Sequence, residues 1–317
     1  MQNIKILFSI IIIVLSMLNM DAQAVNKKII VEHFTNSRCG VCANRNPGFY
    51  NALNQKPDVL HIAYHPSSPY NNCLFSTQNK TENDARTNFY GLYGGTPTFA
   101  INGEVKTANQ VQSSGVYTPY ENKTSALSVD VVVIPAGADS IKVSVTITAV
   151  ATHTFNTLTL YVPLAEDTVF YTSPNGEIRH YDVFRKSFTG SNPITFPAPA
   201  TIGSIYSYSS KLAKNNLWNP DRLYAMAIVQ HADKTIVQAE DSPLFDENAT
   251  SSTDVGSIDN TSFDISPNPG NSLIHIHSKD MDAFYDISFL DLAGTLILKQ
   301  NVLTGGNSMD ISSLKPG

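Results

Sequence analysis

Apolar and polar residues alternate along much of the chain from about Ala126 onward. The stretch from Ile141 to Ala149 places an apolar residue at every second position, and the stretch from Thr157 to Val162 repeats the pattern. Because strand side chains point to opposite faces in turn, this alternation indicates antiparallel strands with one buried face. Residues 119–246 are therefore predicted to form an all-β sandwich.

The region before it, residues 25–118, has a different pattern. Short apolar runs typical of buried strands alternate there with longer stretches that favour helices. In chain order these are strand 28–34, helix 39–54, strand 59–64, helix 77–93 and strand 98–101. A strong hairpin turn, Asn102-Gly103, follows the last strand. This order predicts an α/β layer.

Both ends of the chain differ from these two regions. Lys5 precedes an apolar run too short to span a membrane, and Ala22-Gln23-Ala24 follows it. This pattern predicts a signal peptide over residues 1–24 rather than an uncleaved anchor, and a mature chain without a transmembrane span. Residues 247–262 are polar and predict a linker, and residues 263–317 return to short strands that predict a small C-terminal β-module.

The composition excludes several classes of function. The net charge is -6, with 21 Lys and Arg against 27 Asp and Glu, so no basic surplus is present to bind nucleic acid. The three Cys are too few for a disulfide scaffold, so the core must hold the fold. The sequence lacks a phosphate-binding loop, a hydrolase nucleophile motif and a zinc-protease motif. We therefore predict no cofactor and no metal.

The sharpest chemical signal is a Cys-x-x-Cys motif, CGVC at residues 39–42. It follows a predicted buried strand and opens a predicted helix, where unpaired backbone N–H groups favour the thiolate of Cys39. The neighbouring Arg38 acts in the same direction. The spacing suits thiol–disulfide exchange in which Cys39 attacks and Cys42 resolves the mixed disulfide. An inert structural disulfide is the alternative, and a metal site would need two further ligands. Cys73 is predicted to be a shielded free thiol.

The motif after a strand, together with Thr96-Pro97 before a later strand, resembles the thioredoxin superfamily. The resemblance implies a cis Thr96–Pro97 bond packed against the disulfide. It also implies that the backbone of Thr96 pairs with a bound peptide, which makes Thr96 and Pro97 substrate-binding residues.

The same resemblance points to groups that modulate the two Cys. Members of the superfamily usually carry a buried acid on the strand before the motif. In this chain Glu32 is the nearest acid, while His33 lies at the matching offset from Cys39. Glu32 and His33 are therefore predicted, with Arg38, to modulate the reactivity of the pair.

A narrower resemblance spans roughly residues 28–241. The segments 31–42, 179–186 and 227–239 together resemble the outer membrane protein 28-related family. Proteins of that family join a thioredoxin-like domain to a β-rich domain. The expected fold class is thus an α/β thioredoxin-like domain, followed by an all-β sandwich and the small C-terminal β-module.

The C-terminal module carries three short motifs in a fixed order, SPNP at 266–269, DLAG at 291–294 and DISSLKPG at 310–317. They resemble the type A sorting domain of the type IX secretion system of Bacteroidota. The resemblance implies that the type IX machinery is a partner and that the chain is exported to the extracellular space or the outer-membrane surface. Family members continue past the last Gly into a further strand, so the module is expected to be truncated.

These inferences give two functional hypotheses. The first is a secreted or cell-surface protein that exchanges thiols and disulfides with extracytoplasmic proteins through Cys39 and Cys42. The second is a non-enzymatic surface binding protein in which the same two residues form a structural disulfide.

Overall fold

The computed structural model describes residues 23–92 and 94–247 and, further along, five strands and Ile311 within residues 263–311. The predicted signal peptide lies almost entirely outside the described residues. The chain divides into two compact units, Met1–Thr250 and Ser251–Gly317. Among the helices that the structure describes, none is long and apolar enough to cross a membrane.

Three α-helices are described in the first unit: α1 (Gly40–Leu53), α2 (Leu74–Gln78) and α3 (Lys80–Phe89). The first is capped by the side chain of Cys39, and the third by Asn79, whose side chain accepts a hydrogen bond from the Glu82 backbone N–H. The predicted helix over 39–54 is therefore confirmed. The one predicted over 77–93 is shorter, because Asn79 leaves the helical conformation and separates α2 from α3.

The rest of the first unit consists mainly of strands. They are β1 (Val25–Asn26), β2 (Ile29–Phe34), β3 (Val59–Tyr64), β4 (Thr98–Ile101), β5 (Glu104–Thr107), β6 (Thr124–Ser125), β7 (Leu127–Pro135), β8 (Ser140–Ala149), β9 (Thr157–Tyr161), β10 (Pro163–Phe170), β11 (Arg179–Ser187), β12 (Ile194–Pro197), β13 (Ile205–Ala213), β14 (Leu223–Gln230) and β15 (Ile236–Asp241).

Ten of these strands form one continuous sheet. Its order is β12-β9-β14-β10-β11-β3-β2-β4-β5, and β15 pairs with β14. Strands β2 and β3 are parallel, and β4 and β5 form the predicted hairpin, with positive φ at Asn102 and Gly103. The connection between the two halves of the sheet is a parallel pairing of β3 with β11, in which Ala63 lies opposite Val183.

This sheet shows that the predicted fold class is wrong. An α/β thioredoxin-like domain followed by a separate all-β sandwich would keep the sheet of the first domain apart from the sheets of the sandwich. Instead the described chain is mostly β, and the strands near the Cys-x-x-Cys motif continue directly into strands from residues 157–241. The sheets merge because β11 pairs with the edge of β3, which would otherwise leave its backbone hydrogen-bonding groups unpaired.

Two layers pack against the faces of this sheet. A three-stranded sheet, β13-β8-β7, buries its alternating apolar residues against β9, β10 and β14, which explains the period-two pattern of the sequence. Helix α1 covers the face of β2 and β4 that carries Val31 and Phe99. The opposite face of β2, with Ile30 and Phe34, packs on residues of β3, β11 and β14.

The second unit is described only through its strands, which are β16 (Phe263–Ser266), β17 (Leu273–Ser278), β18 (Tyr285–Leu290), β19 (Leu296–Val302) and β20 (Asn307–Asp310). They form a three-stranded sheet, β16-β17-β20, and a two-stranded sheet, β18-β19. The short strands predicted for residues 263–317 are thus confirmed, whereas most of the predicted linker lies outside the described residues. The predicted domain boundaries stay predictions.

Candidate functional site

Cys39 and Cys42 form a disulfide at the start of α1. Cys39 is the N-cap, with an extended backbone, and the backbone N–H of Cys42 lies 3.0 Å from its Sγ. Both sulfurs are buried, because Cys39 is only 2% exposed and Cys42 is 0% exposed. Val41 between them is 59% exposed, so the motif presents an apolar side chain to solvent rather than a sulfur.

The Thr96–Pro97 peptide bond lies beside the disulfide and is cis, as the resemblance implied. The carbonyl oxygen of Thr96 is 3.4 Å from Cys39 Sγ. Thr96 and Pro97 are both half-buried, and β4 begins at the next residue, Thr98. The structure thus brings these two predicted residues to the Cys pair.

A turn from the other half of the sheet holds the motif in place. Asn175 lies in the hairpin between β10 and β11, and its side-chain amide donates to the carbonyl oxygens of Cys39, at 3.1 Å, and Asn36, at 3.3 Å. Nearby, the amide nitrogen of Asn46 on α1 donates to a carboxylate oxygen of Glu177 at 2.8 Å. The sequence Pro-Asn-Gly at residues 174–176 is typical of a turn but carries no signal of this contact.

Arg38 and Cys73 are next to the pair without touching the disulfide. Arg38 is exposed, and its Nε donates to the carbonyl oxygen of Asn72 at 2.9 Å. Cys73 is a free, fully buried Cys whose Sγ lies 3.1 Å from the hydroxyl oxygen of Ser37. The prediction that Cys73 is a shielded free thiol is confirmed.

Glu32 lies on the face of β2 that is turned away from α1. Its carboxylate accepts two hydrogen bonds from the Arg86 guanidinium, at 2.6 and 2.7 Å, and one from the Tyr90 hydroxyl at 2.5 Å. Gln230 accepts a further hydrogen bond from Arg86 at 3.0 Å. The carboxylate is therefore part of a buried network that joins α3, β2 and β14, and none of these partners belongs to α1.

His33 lies on the opposite face of β2, beneath α1. Its ring stacks on Phe99, with 4.3 Å between centroids, and meets the edge of Phe49 at 4.8 Å. Burial holds the pKa of His33 well below its ordinary value, and the positive charges that His61 and His65 could carry act in the same direction. The neutral ring is thus the stable form at neutral pH.

The sequence analysis did not identify the series of hydrogen-bonded polar groups that starts at His33. His61 Nε2 lies 3.4 Å from His33 Nδ1, and His61 Nδ1 lies 2.7 Å from the Asp182 carboxylate. The hydroxyl of Tyr224 donates to the other Asp182 oxygen at 2.7 Å. Asp182, on β11, has a positive φ of 51°, and its carboxylate reaches His61 on the neighbouring strand β3. The nearest sequence signal is the run of titratable groups at residues 179–182.

This chain of polar groups ends in a cavity of about 490 Å³ that His61, Asp182 and Tyr224 help to line. Asp167 and Asp241 belong to the same wall, which makes it acidic. In the part of the chain that the structure describes, no cluster of three or more His, Cys, Asp or Glu could hold a metal ion.

Among known protein families, one matches the C-terminal residues of the chain. Residues 264–317 match the secretion system C-terminal sorting domain family. The resemblance of these residues to a type IX sorting domain is therefore confirmed, and so is export to the cell surface or outer membrane. The chain is a secreted or surface protein that the type IX machinery handles. No curated protein matches the chain.

Solved structures give a likeness in fold. HBP35 of Porphyromonas gingivalis is 15% identical, with a TM-score of 0.58 over 89% of this chain and 91% of that chain. At this identity the likeness shows the fold alone, and it extends across nearly the whole chain rather than over the Cys-containing half. A domain of the outer membrane lipoprotein Omp28 from the same organism is 13% identical, with a TM-score of 0.28 over 39% of this chain and 91% of that chain.

Proposed function

We propose that this exported protein exchanges thiols and disulfides with extracytoplasmic proteins through Cys39 and Cys42. The observation that carries the proposal is the position of Cys39, which is the N-cap of a 14-residue helix and receives the Cys42 N–H. Unpaired N–H groups and the positive end of the helix dipole stabilise an anion at this position. A Cys at such a position has a lowered pKa, and its thiolate is the attacking species.

The surroundings of the disulfide supply a place for an extended peptide. Val41 is exposed beside the pair, and the cis Thr96–Pro97 segment borders it on the other side. We propose that Thr96 and Pro97 contact the substrate backbone and that Val41 contacts an apolar substrate side chain. Arg38, next to Cys39, adds a positive charge that favours the thiolate and acidic substrates.

One observation favours the second hypothesis, a surface binding protein with a structural disulfide. Cys39 is only 2% exposed, and Asn175 ties its carbonyl group to the β10–β11 turn. A sulfur this buried is out of reach of a substrate thiol until the surrounding structure opens. Under this hypothesis the bridge is a staple that resists reduction in the folded protein.

The deciding experiment measures turnover of insulin disulfides by the full chain with dithiothreitol as the reductant. Cys39→Ser removes the attacking sulfur and is expected to abolish turnover. Cys42→Ser is expected to accumulate a mixed disulfide with the substrate, because the resolving sulfur is absent. Cys73→Ser is the matched control, since it removes a buried Cys outside the pair and should leave turnover within about twofold of wild type.

Two results together would contradict thiol–disulfide exchange. Turnover no higher in the wild-type chain than in Cys39→Ser, together with reduction of the bridge only in denaturant, would assign the disulfide a structural role.

A further inference from the structure

A groove of about 600 Å³ lies at the end of β2 that is remote from the disulfide. Three segments form it: residues 26–29 at the start of β2, residues 55–59 between α1 and the start of β3, and residues 121–123 before β6. The Cys-x-x-Cys motif follows the other end of β2, and a strand of this length extends for about 17–20 Å. We call this region the Lys groove, and it is separate from the site of the disulfide.

The charged side chains of the Lys groove leave a surplus of positive charge. Lys56 Nζ lies 2.6 Å from a carboxylate oxygen of Glu121, so these two charges offset each other. Lys28 Nζ lies 3.9 Å from a carboxylate oxygen of Glu240, which is outside the lining. The lining as a whole has four positive side chains against two negative ones, which are Lys27, Lys28, Lys56 and Lys123 against Asp58 and Glu121.

Two of these Lys, Lys27 and Lys123, have no acidic partner within the described residues. They are neighbours, because the backbone N–H of Lys27 donates to the carbonyl oxygen of Lys123 at 2.8 Å, next to the short β1–β6 pairing. Lys27 is half-buried, and burial lowers the pKa of its ammonium group. Its charge has thus lost hydration without gaining a counter-charge from the protein, and an anion in the groove would supply one.

The uncharged part of the lining indicates the class of the anion. Three amide side chains, those of Asn26, Gln55 and Asn122, line the groove, and an amide both donates and accepts hydrogen bonds, as sugar hydroxyl groups do. None of the described lining residues is aromatic, so the groove offers no stacking surface for nucleic acid bases. Only three of the twelve lining residues are apolar, which leaves few pockets for the side chains of a peptide. Hydroxyl groups combined with negative groups fit this lining best.

We propose that the Lys groove binds an acidic oligosaccharide, whose negative groups lie against Lys27 and Lys123 and whose hydroxyl groups bind the amides. The ammonium group of Lys is a compact point charge with three donors, so carboxylate, sulfate and phosphate groups on the sugar can all pair with it. The chain is exported, so the ligand is one that it meets outside the cytoplasm. Binding does not depend on the exchange proposed for Cys39 and Cys42, because neither residue lines the groove.

The test is a calorimetric titration of the full chain with three matched probes at low ionic strength. Tetragalacturonate carries four carboxylates on a sugar, its methyl ester is the same sugar without the charges, and tetraglutamate carries its carboxylates on a peptide. We expect tetragalacturonate to bind at least about tenfold more tightly than either control, and its affinity to fall as salt is added. Absence of binding, or equal affinity for the methyl ester or for tetraglutamate, would overturn the proposal.

A pair of double variants locates the binding. Lys27→Met/Lys123→Met keeps two unbranched side chains but removes both unpaired charges, and it should weaken tetragalacturonate binding at least about tenfold. Lys142→Met/Lys211→Met is the matched control, because it removes two Lys that face each other across β8 and β13, outside the groove. Its affinity should stay within about twofold of wild type. Equal losses in the two double variants would show general attraction to positive charge and refute the site.

A second pair of variants predicts a gain of affinity, which a misfolded protein cannot produce. Glu121→Gln removes a carboxylate from the groove and releases Lys56 from its ion pair, so tetragalacturonate should bind about threefold more tightly. Asp130→Asn is the matched control, since Asp130 is exposed on β7 and the variant changes the net charge by the same amount. An unchanged or lower affinity for Glu121→Gln, or an equal gain for Asp130→Asn, would contradict the proposal.

Discussion

Replacement of Arg86 by Met should destabilise the protein far more than any surface substitution on the same helix. Arg86 is 1% exposed and makes a bidentate pair with Glu32, which is 0% exposed. Met keeps an unbranched apolar chain but leaves the Glu32 carboxylate buried with Tyr90 as its remaining partner. The variant therefore isolates the cost of an uncompensated charge.

The size of the effect follows from these contacts. Two charge-assisted hydrogen bonds are lost, each contributing about 1.5–3 kcal/mol, and breaking a buried ion pair typically costs about 3–5 kcal/mol. We expect the free energy of unfolding to fall by about 4 kcal/mol. Lys80→Met is the matched control on α3. Its side chain is 62% exposed and its ammonium group pairs with Asp84 one turn away, so the loss of this pair should cost about 0.5 kcal/mol or less.

Urea unfolding of the full chain, followed by tryptophan fluorescence and circular dichroism, measures both variants. The double variant Glu32→Gln/Arg86→Met should be less destabilised than the sum of the two single changes, because it leaves no buried charge. A loss for Arg86→Met within about 1 kcal/mol of that for Lys80→Met would refute the reasoning.

Three further outcomes follow from the structure. Burial, with His180 and Arg185 nearby, holds the pKa of His65 well below its ordinary value, so the unfolded ring binds a proton below about pH 6.5 that the folded ring does not. Stability should thus fall between pH 6.5 and 5 more steeply in wild type than in His65→Gln, by up to about 1.4 kcal/mol per pH unit in denaturant titrations, and equal slopes would contradict this. Asn175→Ala should lower stability by about 1–3 kcal/mol and speed reduction of the disulfide by dithiothreitol, an effect that an unchanged reduction rate would exclude. Deletion of residues 264–317 should leave the chain in the periplasm on fractionation, and surface delivery of the shortened chain would show that export does not need the sorting domain.

Local patterns predicted several strands directly, because each pattern depends on neighbours in sequence. The runs at 59–64 and 98–101 correspond to β3 and β4 residue for residue, and the alternation at 141–149 became β8. The fold class failed because the decisive contact, β3 with β11, joins segments about 120 residues apart. A parallel pairing of this kind leaves no periodic signal, since β3 is buried on both faces and β11 is buried on both faces at residues 183–185.

In the candidate site, too, local sequence patterns were informative and contacts between distant segments were not predictable. Successive residues of a strand face opposite sides, so Glu32 and His33 could never both lie beneath α1. The alternation of side chains along β2 therefore already predicts that only one of these two residues contacts α1. The participation of Asp182, Asn175 and Glu177 was beyond sequence reasoning, because all three arrive through the β3–β11 contact.

That contact also has a consequence for how the protein can be handled. A fragment ending near residue 118 would lack β11, and the backbone N–H and carbonyl groups of β3 would line an open edge. Such an edge recruits strands from other molecules, and the apolar side chains beside it would add to self-association. A minimal Cys-x-x-Cys fragment should consequently precipitate or form dimers in size-exclusion chromatography, whereas the whole first unit should stay monodisperse. The setting of the disulfide and the solubility of the chain are thus linked, since the strand that seals the sheet follows the turn whose Asn175 contacts the carbonyl group of Cys39.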